Sequence, residues 1–166
     1  MKNFKMLIYT SLMVAITFLL IACTQVPGFG DQLNGKFVEI KKGYYSNYPG
    51  EGEVQKVITS PSDFSNEWHK VFSSRSPEPE VPNIDFTDHQ VILVMLETKS
   101  SGGFGITDFK VTESDSEVII SYSEVKPGKG CMVTQALTRP FYIASVPNNE
   151  KKVQFYKKDP VVNDCN

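Results

Sequence analysis

Histidine is nearly absent from this chain, which has two in 166 residues, and tryptophan occurs once. Neither His69 nor His89 has a second His or Cys at ligand spacing, so a metal centre is not expected, and no motif asks for a cofactor. A nucleophile elbow is missing too, because Ser100-Ser101-Gly102-Gly103 does not set glycines two residues to either side of a serine. Gly102-Gly103-Phe104-Gly105 has no Lys-Ser/Thr pair and no following helix, which argues against a phosphate cradle. Asp85, Asp88 and Glu97 are scattered carboxylates that read as solvated surface. Basic residues do not outnumber acidic ones, 17 against 19, so no basic stripe is available for nucleic acid. Repeats and low-complexity tracts are also lacking. A hydrolase hidden in such a sequence would need His69 or His89 beside a serine and a carboxylate in a deep pocket.

What is present begins at the N-terminus. Lys2 and Lys5 precede an almost wholly apolar run from Met6 to Ile21. That run is short for a membrane-spanning helix, which needs about 20 residues, and it suits the core of a signal peptide. Leu20-Ile21-Ala22-Cys23 then resembles the lipobox read by lipoprotein signal peptidase. The expected organisation is a signal peptide at 1–22, lipid on Cys23, a tether at 23–35 and one domain at 36–166. The tether carries Pro27, Gly28, Gly30 and Asn34-Gly35. Without Lys2 and Lys5 the mature chain holds 15 basic and 19 acidic residues, a net charge of −4. Membrane attachment therefore falls to lipid, and two or more acyl chains anchor stably where one does not. The expected location is the cell envelope. Thr24 is not the aspartate that retains enteric lipoproteins at the inner membrane, so an outer-membrane address is implied where the host has one.

With Cys23 lipidated, Cys131 and Cys165 remain as a pair in an oxidising compartment. A disulfide would tie the C-terminal tail to the Lys129-Gly130 loop. The alternative is two free thiols.

Hydrophobic periodicity predicts a mainly β fold. Short strands are expected at Phe37–Ile40, Glu53–Ile58, Val91–Leu96, Phe104–Val111, Val118–Tyr122, Phe141–Val146 and Val153–Phe155, with turn residues between them. Val91–Leu96 is continuously apolar, as for a central strand buried on both faces. The apolar phase slips between Ile106 and Phe109, which predicts a bulge near Thr107-Asp108. One helix is expected near residues 61–73. Ser60 suits its N-cap, Pro61 its first position, and Phe64, Trp68, Val71 and Phe72 share one face. The fold class that follows is an antiparallel β-sandwich, immunoglobulin-like, with that single helix packed against it.

Three loops stand out as candidate partner-binding sites. The first holds Ser101, Gly102, Gly103 and Phe104, and the second Gly128 and Gly130. The third is Thr138-Arg139-Pro140-Phe141. Glycine lets backbone approach another surface closely, and Arg and aromatic side chains are common interface anchors. The plainer reading is that these are tight turns with Phe104 and Phe141 in the core.

The stretch from Val91 to Phe155 resembles the C-terminal domain of the protease-complex subunit PrcB family. The residues that carry the likeness are Ser101-Gly102-Gly103-Phe104-Gly105-Ile106, Pro127-Gly128, Cys131-Met132-Val133-Thr134-Gln135-Ala136-Leu137-Thr138, Pro140-Phe141 and Val153-Gln154-Phe155. Trp68 and Asp85-Phe86 also fit. Ser101 and Phe104 stand where the family often has Thr and Tyr. The resemblance implies a lipoprotein that helps assemble or stabilise a surface protease. The order of the three loops is also similar to chagasin-type cysteine-protease inhibitors, whose Arg-Pro-aromatic loop wedges into the protease cleft. Phe141 replaces the tryptophan of that pattern, and Gly103 is an extra glycine.

The expected function is thus a non-catalytic, lipid-anchored protein-binding module whose partner is a secreted or surface protein such as a peptidase. The alternatives are direct inhibition of a cysteine protease and a purely structural envelope lipoprotein.

Overall fold

The computed structural model describes residues 37–165. The expected signal peptide, Cys23 and the tether lie outside the described residues. Eight strands and one helix follow in order: β1 (Val38–Gly43), β2 (Val54–Ile58), α1 (Pro61–Phe72), β3 (His89–Met95), β4 (Gly105–Glu113), β5 (Glu117–Pro127), β6 (Phe141–Pro147), β7 (Lys152–Lys157) and β8 (Val161–Asn163). They make two sheets packed face to face, a sandwich rather than a barrel. One sheet runs β1-β6-β3-β2, and the other β4-β5-β7 with β8 also on β5.

The apolar run at β3 explains the layering. Its residues alternate between two cores because successive side chains point to opposite faces. Val91, Leu93 and Met95 join Phe64, Trp68, Val71, Phe72, Phe141 and Ile143 under the helix. Ile92, Val94 and Leu96 face Phe109, Val111, Val118, Ile120 and Tyr122 of the second sheet. The order of layers is therefore helix, sheet, sheet. β6 splits in the same way, with Phe141 and Ile143 on one face and Tyr142, Ala144 and Val146 on the other.

The helix starts where its cap allows. The Ser60 hydroxyl accepts from Asp63 N at 3.2 Å, and Pro61 fills the first helical position. Trp68 lies edge-on to Phe64 and tilted against Phe72, and its indole N–H donates to Pro79 O at 2.9 Å. That bond keeps the large ring buried without leaving its one donor unmet.

The bulge in β4 lies where the apolar phase slips. Pairing with β5 shifts register between Thr107 and Lys110, and Asp108 takes a φ of 51°. Beyond the bulge Phe109 reaches the core and stacks on Tyr142 at 4.3 Å.

Two features depart from the sequence reading. β8 was not expected, and β7 and β8 both run parallel to β5, so the second sheet is mixed. The reason is a crossover: after β5 the chain passes to the other sheet as β6 and returns along β5 in β5's own direction.

Candidate functional site

The registers gather every expected loop at one end of the sandwich. β1 ends there at Gly43, opposite Phe141 at the start of β6. β3 ends there at Met95, β4 begins there at Gly105 opposite Val125, and β8 lies beside Val125–Pro127. Phe37, where the described chain begins, is at the opposite end against Phe109.

The loops lock to one another through backbone. Lys99 and Thr138 exchange N–H···O bonds of 2.8 and 3.0 Å, and the Thr138 hydroxyl donates to Ser101 O at 2.7 Å. Gly102 N donates to Thr134 O at 2.8 Å. A Cβ on Gly102 would collide with Thr134 Oγ1, so glycine is required there by a neighbouring loop. Gly103 has φ 86° and lies against Val133 and Pro127. Gly128 N donates to Asn163 O at 2.9 Å, and a Cβ there would meet Asp164 Oδ1 at 2.7 Å. Gly130 takes φ 92° in an open turn. Cys131 and Cys165 are joined, with sulfurs 2.10 Å apart. This closes the tail onto the 127–131 loop.

Arg139, Pro140 and Phe141 overturn an expectation. Arg139 is 3% exposed and Phe141 1%, and Pro140 is buried with them, so none of the three anchors a partner by its side chain. The Arg139 guanidinium turns inward and donates to Tyr48 O and Gly50 O, and to Gly52 O at 2.7 Å. It also stands 5.5 Å from the Tyr48 ring centre. Its work is to close the 44–52 loop. Phe141 packs edge-on against Phe72 at 5.5 Å. The wedge of a chagasin-type inhibitor is therefore not available from this loop.

Two more contacts hold the 44–52 loop to the helix. The Ser46 hydroxyl donates to Val71 O at 3.0 Å, and the Tyr48 hydroxyl bonds Glu67. Glu67 also pairs with Lys56 at 3.0 Å and Lys70 at 2.8 Å. Burial raises its pKa, but these donors outweigh burial and hold it below its ordinary value. The loop therefore presents Tyr44 and Tyr45 from a fixed frame.

A second charged cluster supports the first loop from beneath. The nearly buried Glu124 carboxylate lies 2.7 Å from Lys99 Nζ and 3.1 Å from Lys157 Nζ. Lys99 also reaches Glu97 at 2.9 Å and lies 5.2 Å from the Phe104 ring centre. Lys157 also pairs with Glu53.

Between the ends of β1 and β4, whose outer edges carry no further strand among the described residues, lies a cleft of about 470 Å³. Gly43, Tyr44, Tyr45, Gly102–Thr107 and Phe141 line it, with Lys42 the one charged residue among its walls. Neither His69 nor His89 lines it, so the pocket expected of a hidden hydrolase is not this one. His69 instead meets Glu78 at 2.7 Å on the surface. Among the described residues no group of three or more His, Cys, Asp or Glu could hold a metal ion.

Around this cleft, apolar side chains reach solvent. Met132 is 101% exposed and Leu137 72%, both on the loop after the cysteine, and Tyr44 and Tyr45 are 59% and 49% exposed. Sequence reasoning passed over Met132 and Leu137. They sit in Cys131-Met132-Val133-Thr134-Gln135-Ala136-Leu137, and no pattern in it says which side chains face out.

Residues 90–147 match the PrcB C-terminal family model. The matched segment takes in β3 (but for His89) through β6, with all three loops, and leaves α1, β1, β2, β7 and β8 outside. It is shorter than the Val91–Phe155 stretch expected from the sequence at its C-terminal end. No curated protein and no solved structure matches the chain.

Proposed function

We propose that this chain is a non-catalytic, lipid-anchored module that binds a secreted or surface protein and helps assemble or stabilise a protease complex. The observation that carries this reading is four exposed apolar side chains on interlocked loops at one end of the sandwich, Tyr44 and Tyr45 on the cleft wall and Met132 and Leu137 on the loop that carries Thr134 and Thr138 to it. Solvent-facing apolar groups held on a rigid frame are what a protein partner buries. The PrcB C-terminal match supports a protease-associated partner, since it spans the loops that build this end.

The polarity of the fold supports the anchor. Lipid on Cys23 would tether the domain through residues 24–36, a length that reaches at most about 45 Å. These residues join the fold at Phe37, at the end away from the loops. The attachment point would then lie at the end of the domain away from the loops, leaving them free for a partner.

The test is affinity capture from detergent-solubilised host envelope with the full lipidated chain as bait, read by mass spectrometry. A peptidase recovered with the wild type and lost with a Met132→Asp/Leu137→Asp double variant supports the reading. Capture indifferent to both substitutions removes the loop end as the binding surface.

A further inference from the structure

β8 is the least secured element of the fold. Its three residues are exposed, and its ladder covers only Val125, Lys126 and Pro127 of β5. So short a strand has little stability of its own. Two further contacts tie it down: the Gly128 N–H on Asn163 O, and the bond between Cys131 and Cys165 just beyond it. Cys165 is exposed and Cys131 half-buried.

We propose that the Cys131–Cys165 bond is a redox latch that holds β8 on the edge of β5, and that a dithiol reductant releases the strand. One thiolate of the reductant attacks Cys165 Sγ, the more accessible sulfur. The bond between the two cysteines breaks, a mixed disulfide forms, and the electron pair leaves on Cys131, which takes up a proton. The second thiolate then attacks the reductant's own sulfur in the mixed disulfide and expels Cys165 as a thiol. The protein gains two electrons and two protons, and the dithiol becomes a disulfide. Release uncovers the β5 backbone at Val125–Pro127 and withdraws Asn163 from the cleft wall it lines. The oxidation state thereby sets the shape of the loop end. That consequence for binding rests on the protein-binding reading above, whereas release of the strand does not.

Hydrogen exchange on the full chain in detergent micelles tests it without any partner. The wild type is compared with and without excess dithiothreitol, and Cys165→Ser is measured alone. Amides of Lys126 and Gly128, which face β8, are expected to exchange at least ~10-fold faster in both the reduced and the substituted protein. Those of Glu117–Tyr122, held by β4 and β7, should be unchanged. Unaltered exchange at Lys126 and Gly128 in both cases overturns the latch, since β8 would then hold itself. Equal acceleration along the whole of β5 also overturns it, because the bond would then staple the sandwich as a unit. Failed capture of a partner, with these exchange rates as expected, would count against the binding reading alone.

Discussion

Thr134 closes over Gly102: its carbonyl accepts the Gly102 N–H at 2.8 Å, and its hydroxyl occupies the space a side chain at 102 would need. The first loop and the loop after Cys131 are therefore one unit. Gly102→Ala is expected to force them apart and to destabilise the fold by about 1–3 kcal/mol, the usual penalty for overpacking. Urea denaturation measures the loss. An unchanged midpoint would show that the Thr134 loop gives way freely.

Arg139 leaves three carbonyls of the 44–52 loop unmet when it is removed. Arg139→Met should cost about 2–3 kcal/mol and open that loop to limited proteolysis. Arg139→Lys should rescue little, because an ammonium lacks the planar fork that reaches three acceptors. Protection of residues 44–52 equal to wild type in Arg139→Met would remove the clamp from the account.

Met132 and Leu137 face water, so their replacement by aspartate should leave the unfolding free energy within about 0.5 kcal/mol of wild type. Denaturation curves run beside the capture assay separate lost binding from lost folding.

The Glu124 cluster gives stability a defined pH range. Burial raises the carboxyl of Glu124, but Lys99 and Lys157 outweigh burial and hold it below its ordinary 4.5. Burial lowers Lys99 and Lys157, but their carboxylate partners hold both above 10.5. The carboxylate's contribution is present above pH 4.5 and lost as pH falls through its lower folded value. That of the lysines is present below pH 10.5 and lost as pH rises through their higher folded values. Stability measured by thermal melts should thus fall on both sides of this range. Glu124→Gln should be less stable at neutral pH and should show a shallower acid limb. An acid limb as steep as wild type would assign it to other carboxylates.

Local chemistry made much of this fold legible. The β3 run, the Ser60-Pro61 cap, the Phe64/Trp68/Val71/Phe72 face and the slip at Thr107-Asp108 each depend on neighbours within a few residues, and each lies where periodicity put it. The direction of β7 was not legible, because a strand's own pattern is the same parallel or antiparallel. Arg139 misled for a related reason. Arg-Pro-Phe has the composition of an interface anchor, but the acceptors that hold the guanidinium inside lie 43 to 91 residues earlier in the chain. The glycines of the first two loops were expected to approach a partner; Gly102, Gly103 and Gly128 instead lie against the protein's own neighbouring loops. Nothing in the sequence between Cys131 and Thr138 indicates which side chains face out, and that is where the most exposed apolar groups sit.

The return of β7 and β8 along β5 has a consequence for synthesis. Among the described residues, one edge of the eleven-residue β5 is filled only from Lys152 onward. A chain emerging N-terminus first presents β5 with that edge bare until its final segment arrives. Such an edge invites pairing with other chains. Truncation before Lys152 should therefore show itself first as aggregation, and it also takes β8 and the Cys165 tail from the loop end.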